Sequence, residues 1–250
     1  MVAVHRFFES MLNYFSREEN QTSFYEAEFD HFKFVTHELF LYALANYFSA
    51  EDYGSANHLL TEQYYVSKNV EQGRKGSYTF TILRSHLQSL KRRNDRLQLR
   101  RLSLHSDLLE QRSKSSGVPF RHLMQADFIC FMRAELTNQN QYDRWWLETL
   151  LYATRHYGPF EVFVRAVSRI HLTRLMPLLG VTTIAEIKSK LGEFRRVVQH
   201  SFCNFPDDCT FALQSVVERS ETKLCSANAR RADVASTRSH CVNPEREYPL

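Results

Sequence analysis

"ILRSHLQSLKRRNDRLQLRRLSLHSDLLEQRSK", residues Ile82 to Lys114, is the stretch whose reading decides the fold. Set out at 100° per residue, Leu83, Leu87, Leu90, Leu97, Leu104 and Leu108 fall within a narrow arc, which predicts one long amphipathic helix with a leucine core face. Gly117 and Pro119 then supply the stop and the restart. The polar side of this helix is basic: from Lys91 to Lys114 eight basic residues face only Asp95, Asp107 and Glu110, a local balance of +5.

The flanking sequence carries the same period. Residues 4–16 and 24–48 place apolar residues at helical spacing, and in the second Phe32, Val35, Leu39, Ala43 and Tyr47 are expected to line one face. Further helices are expected from about Pro119 to Leu136, through "YDRWWLETLLYATRHY", and through "FEVFVRAVSRIHLTRLM" to Pro177. Thr183 and Glu186 stand at capping-box spacing before another. Residues 67–77 read as a polar loop, and "YTFTI" is the single alternating run, a short strand or the lead-in to a helix. With seven glycines and six prolines in 250 residues, turn signals are too sparse for an all-β chain. The expected fold is all-α: an irregular multi-helix bundle of helical hairpins over residues 1–200, with at most one short strand. A weakly structured tail is expected over 201–250, where amphipathic period is lost and an out-of-frame extension is one explanation.

Composition bounds the function. No apolar run reaches membrane length, and the first twenty residues interrupt their apolar run with Arg6, Glu9 and Asn13, so the reading is a cytoplasmic protein with no membrane partner. Five cysteines at 130, 203, 209, 225 and 241 form no close pair, which points to reduced thiols. The formal charge of +4 is modest, but it is polarised: residues 1–30 hold two basic and six acidic residues, a balance of −4. There is no G-x-G-x-x-G, P-loop or G-x-S-x-G, so no nucleotide cofactor or hydrolase elbow is expected.

The basic helix is the first candidate site. Lys91, Arg92, Arg93, Arg96, Arg100 and Arg101 could neutralise phosphates or meet an acidic protein; the plainer alternative is a solvated face. Arg100 and His105 also match the R-x4-H spacing of HEPN-type ribonucleases, helical proteins whose site is usually completed in a homodimer. In an unbroken helix the two residues stand roughly 140° apart, so they converge only if Arg100 lies at a break. Arg195 and His200 repeat the spacing. His31, His37 and Glu38 share one helix, but "HELF" lacks the second histidine of a zinc protease motif, so they read as surface polar groups and no metal is expected. Of Trp145 and Trp146, adjacent on a helix, one belongs in the core and the other at its boundary. Asp127, set in "LMQADFICFMRAEL", needs a partner, and Arg133, Arg144 and Arg165 are the candidates for a structural ion pair.

Two resemblances add to this. "FLYALANYFSAEDYGSANHLL" resembles a tetratricopeptide-type hairpin, with no 34-residue recurrence after it. The blocks "FVTHELFLYALANYF", "RNDRLQLRRLSLHSDLLEQRS", "FRHLMQADFICFMRAEL" and "WWLETLLYATRHYGPFEVFVRA" resemble the helical C-terminal part of uncharacterised bacterial proteins, over residues 5–200. That resemblance implies a portion of a larger protein acting in nucleic-acid processing or defence, and it transfers no functional residue. The expectation is a non-enzymatic interaction or regulatory module that meets nucleic acid or an acidic protein partner through its basic helix. The alternatives are a metal-independent ribonuclease using Arg100 and His105, and a structural fragment.

Overall fold

Val2–Tyr14 forms the first helix, α1, because Phe8 and Leu12, four apart, give it one fully buried stripe. The computed structural model describes residues 2–16, 25–137, 144–155, 160–166, 168–183 and 185–186. The expected tail, the boundary at residue 200, the Arg195–His200 pair and the four later cysteines lie outside these residues.

A 3-10 turn, Glu26–Phe29, leads into α2, Asp30–Ser49, the longest helix and the centre of the bundle. α2 turns into α3, Tyr53–Thr61, through Glu51 in the left-handed region and Asp52, whose carboxylate caps Ser55 N–H at 3.1 Å. The expected hairpin is therefore present. β1, Tyr64–Tyr65, and β2, Ser77–Tyr78, pair antiparallel in the register Tyr64↔Tyr78 and Tyr65↔Ser77, and enclose the short α4, Ser67–Glu71. The alternating run "YTFTI" supplies only the end of β2; its remainder is a 3-10 turn, Phe80–Leu83.

The rest is helical: α5, Gln88–Arg96; α6, Leu104–Ser116; α7, Phe120–Thr137; a 3-10 segment, Glu148–Arg155; α8, Glu161–Arg165; and α9, Arg169–Leu178. Among the described residues the fold is all-α apart from the two-residue strand pair. α7 packs against α2, α3 against both α2 and α9, and α6 against α7. Trp145, fully buried, closes the middle, with ring centroids 5.3 Å from His37, 5.9 Å from Phe40 and 5.5 Å from Phe80.

Four expectations need correction. The long helix from Ile82 is two helices, α5 and α6, separated by residues 97–103. Leu83 and Leu87 are buried and Leu90 and Leu108 pack against the core, but Leu97 is half exposed, so the leucine stripe is core only at its ends. The face of α2 expected to be apolar is half-buried at best, with Leu39 exposed; Phe34, His37, Leu41, Leu44 and Phe48 point inward instead. α2 is covered on several sides, so no single stripe identifies its deepest face. The segment around Trp145 and Trp146 has no regular structure over 144–147 before it becomes 3-10, and Asp127 takes the Thr149 N–H that an α-helix would have used. Finally, the helix expected up to Pro177 is two helices: α8 ends at Arg165 and α9 begins at Arg169, carrying Pro177 within its last turn.

Candidate functional site

A cleft of about 580 Å³ opens between α5, the start of α6 and the Trp146–Glu148 turn. Its walls are Leu87, Leu90, Leu102, Leu104, Leu147 and Leu151; Arg84, His86, Lys91 and Asp95 bring charged or titratable groups of both signs to it, and His105 and Glu148 form its buried floor.

Local sequence positions each part. Asp30, at the start of α2, accepts Ser89 N–H at 2.6 Å and so holds the first turn of α5. α5 ends at Arg96, and Gln98 and Arg100 then adopt left-handed φ values of 47° and 51°. Asn94 clamps this loop: its Oδ1 accepts Arg101 N–H at 3.1 Å and its Nδ2 donates to the Arg101 carbonyl at 2.8 Å. Arg101 then binds Asp107 through two nitrogens, at 2.6 and 2.8 Å, and Ser103 caps α6 by accepting Ser106 N–H. The loop is anchored at both ends, and Arg96, Leu97, Leu99, Arg100 and Leu102 between the anchors are exposed.

The floor is a polar cluster. Arg84 donates a short hydrogen bond to Glu148 Oε1, while Ser103 Oγ donates to Oε2 at 3.0 Å. His105 Nδ1 lies 3.7 Å from Glu148, and its Nε2 lies 2.9 Å from His37 Nδ1. The surroundings select the tautomers. His37 donates from Nδ1 and His105 keeps its proton on Nδ1, facing the carboxylate; the reverse would turn a lone pair towards Glu148 and leave a buried N–H on His37 Nε2, which has no partner. Both rings are neutral at pH 7. Burial, then His105, then Arg84 push His37 well below its ordinary value. Burial likewise lowers His105 to about 4, outweighing the opposing pull of Glu148, whose charge Arg84 already balances.

The six cations expected to bind a partner divide. Lys91, Arg92, Arg93, Arg96 and Arg100 are exposed, with Arg92 lying over the Tyr25 ring at 5.0 Å; Arg101 is also exposed but bound to Asp107. Arg100 does lie at a helix break, yet no hydrogen bond or ion pair joins it to His105. The cation beside His105 is Arg84, reached through Glu148. His31 is exposed, whereas His37 and Glu38 are buried, Glu38 accepting from Arg112 at 2.7 Å, so the reading of these two as surface groups is corrected. Among the described residues no three His, Cys, Asp or Glu side chains converge on a metal position.

Asp127 is structural, but its expected arginine partner is replaced by three uncharged donors: Trp145 Nε1 at 2.6 Å, Thr149 N at 2.8 Å and Thr149 Oγ1 at 2.9 Å. Burial still raises it to about 6 against those bonds. Arg133 goes to the end of α9 and to Thr61, and Arg165 to Glu51 and Glu161. Trp145 is core and Trp146 is 42% exposed, the partition expected of neighbours on opposite sides of a boundary.

No protein-family description, no characterised protein and no solved structure matches this chain. Among the described residues no helix is long and apolar enough to cross a membrane.

Proposed function

We propose that this chain is a non-enzymatic interaction module that engages an acidic partner through α5 and the loop after it. One observation carries the reading. Among the described residues Lys91, Arg92, Arg93, Arg96 and Arg100 have no carboxylate within ion-pair distance, although the segment from Lys91 to Arg100 holds only one acid, Asp95. Five cations against one anion leave a net +4 presented to solvent by α5, which buries none of its own residues, together with the loop after it. Among the described residues other exposed cations do have carboxylates at hand, as Arg112 has Glu38, Lys114 has Glu110 and Arg165 has Glu161.

The ribonuclease reading has less support. General acid–base work at neutral pH needs a group that titrates there, whereas His105 is held near 4 and its Nε2 is engaged with His37. Arg100, which would supply the cation for the phosphate, is in the exposed loop. RNA cleavage by the parent chain that is lost in both His105→Gln and Arg100→Ala, with the fold intact, would favour the ribonuclease reading instead.

The test is a salt titration of the purified protein with labelled poly-glutamate and, separately, labelled single-stranded RNA. The reading expects binding to at least one polyanion that weakens steeply between about 50 and 200 mM salt, because each neutralised charge releases counterions. No binding to either at the lowest salt would make α5 a solvated face and end the proposal.

A further inference from the structure

The cations do not stand alone. Leu97, Leu99 and Leu102 are 50%, 41% and 72% exposed and interleave with Arg96 and Arg100. A loop that only needed solubility would not display three leucines, nor hold two non-glycine residues in the left-handed region to do so. The Asn94 clamp on Arg101 and the Ser103 cap overcome that strain and keep the leucines in one arrangement. Leu102 also lies at the edge of the cleft, so the exposed apolar surface runs from the loop down into a leucine-walled recess.

We propose that the partner is a protein segment in which acidic residues flank an aliphatic or aromatic anchor: the acids meet Lys91 at the cleft and Arg96 and Arg100 at the end of α5 and in the loop after it, and the anchor enters the cleft beside Leu90 and Leu102. The inference rests on the interaction reading above and specifies its partner. Charge complementarity selects an acidic sequence over a basic or neutral one. The recess of about 580 Å³ is large enough for one or two large apolar side chains. An apolar side chain is satisfied by its leucine walls, whereas a nucleobase entering it would leave hydrogen-bonding edges against leucine. Hydrophobic anchors in a groove with a charged rim are a recurrent way for peptides to be recognised.

The experiment measures fluorescence anisotropy of the full chain with three probes: a labelled peptide of about sixteen residues made of glutamate with two leucines four apart, poly-glutamate of the same charge, and labelled single-stranded RNA. Vesicles of phosphatidylserine and phosphatidylcholine are assayed by co-sedimentation. The expected result is that the leucine-bearing peptide binds about tenfold or more tightly than poly-glutamate, and that Leu102→Asp abolishes this preference while leaving poly-glutamate binding in place. Leu102 is mostly exposed, so the substitution leaves the core untouched. Leu99→Ser, also at an exposed position, provides a second variant and should weaken only the leucine-bearing probe. Equal binding of the two peptides overturns the inference but leaves the interaction reading intact. RNA or vesicle binding that exceeds peptide binding and survives Leu102→Asp overturns it in favour of that other polyanion. Failure of every probe removes both the inference and the reading beneath it.

Discussion

α7 and α5 treat their polar groups in opposite ways. α7 buries 13 of its 18 residues, and the polar ones among them are satisfied inside the protein: Asp127 accepts three hydrogen bonds, and Gln125 Oε1 accepts Val162 N–H at 3.1 Å. α5 buries none of its residues and leaves Lys91, Arg93 and Arg96 without a described carboxylate partner. A buried polar group left unpaired costs the protein its stability, so the fold has completed α7. An exposed cation left unpaired costs little, so the fold has no reason to complete α5, and its charge is open to a partner.

The largest expected effect comes from removing the centre of the α7 cluster. Asp127→Ala strands the indole N–H of Trp145 and both donors of Thr149 in the core, and should destabilise the protein by about 3 to 5 kcal/mol. The urea midpoint checks it. Asp127→Asn, which keeps one acceptor oxygen, should cost less.

The second effect is acid sensitivity. His105 titrates at about 4 in the folded chain against an ordinary 6.5, so the unfolded state binds more protons between those values. Stability is fully present above pH 6.5 and is lost as the pH falls towards 4, on the order of 3 kcal/mol for this group. His37, lowered by burial, acts in the same direction. Asp127 opposes them: raised to about 6 from 3.8, it contributes a term that weakens the fold as the pH rises through that window. Two histidines against one carboxyl predict a net loss on acidification. Urea midpoints measured from pH 7 down to 4 should fall, and the slope should be shallower in His105→Gln.

Much of this fold is legible in the sequence. Helical spacing gives α1, the α2–α3 hairpin and α7, and Gly117, with its left-handed φ of 75°, stops α6 where expected. The break after α5 had a local signal that the leucine arc conceals. Leu97, Leu99, Leu102 and Leu104 depart from the steps of three and four that a helix needs, while Asn94 and Ser103 are residues that compete for backbone hydrogen bonds and cap helices. The buried cluster had no such signal. His37 and His105 meet across 68 residues, and Glu148 joins them from a third segment, so no spacing along the chain connects them. The same holds for Asp127, whose partners lie 18 and 22 residues away in a stretch with helical period.

The smallest expected effect on stability is also the most direct test of the interaction account. In Arg92→Glu/Arg93→Glu/Arg96→Glu, three exposed positions change sign, and only the stacking of Arg92 on Tyr25 is lost from the described structure. The account predicts a urea midpoint equivalent to within about 1 kcal/mol of the parent, together with loss of salt-sensitive binding to poly-glutamate. Unchanged binding in the reversed protein would contradict it, and so would a fold that collapses when α5 loses its positive charge.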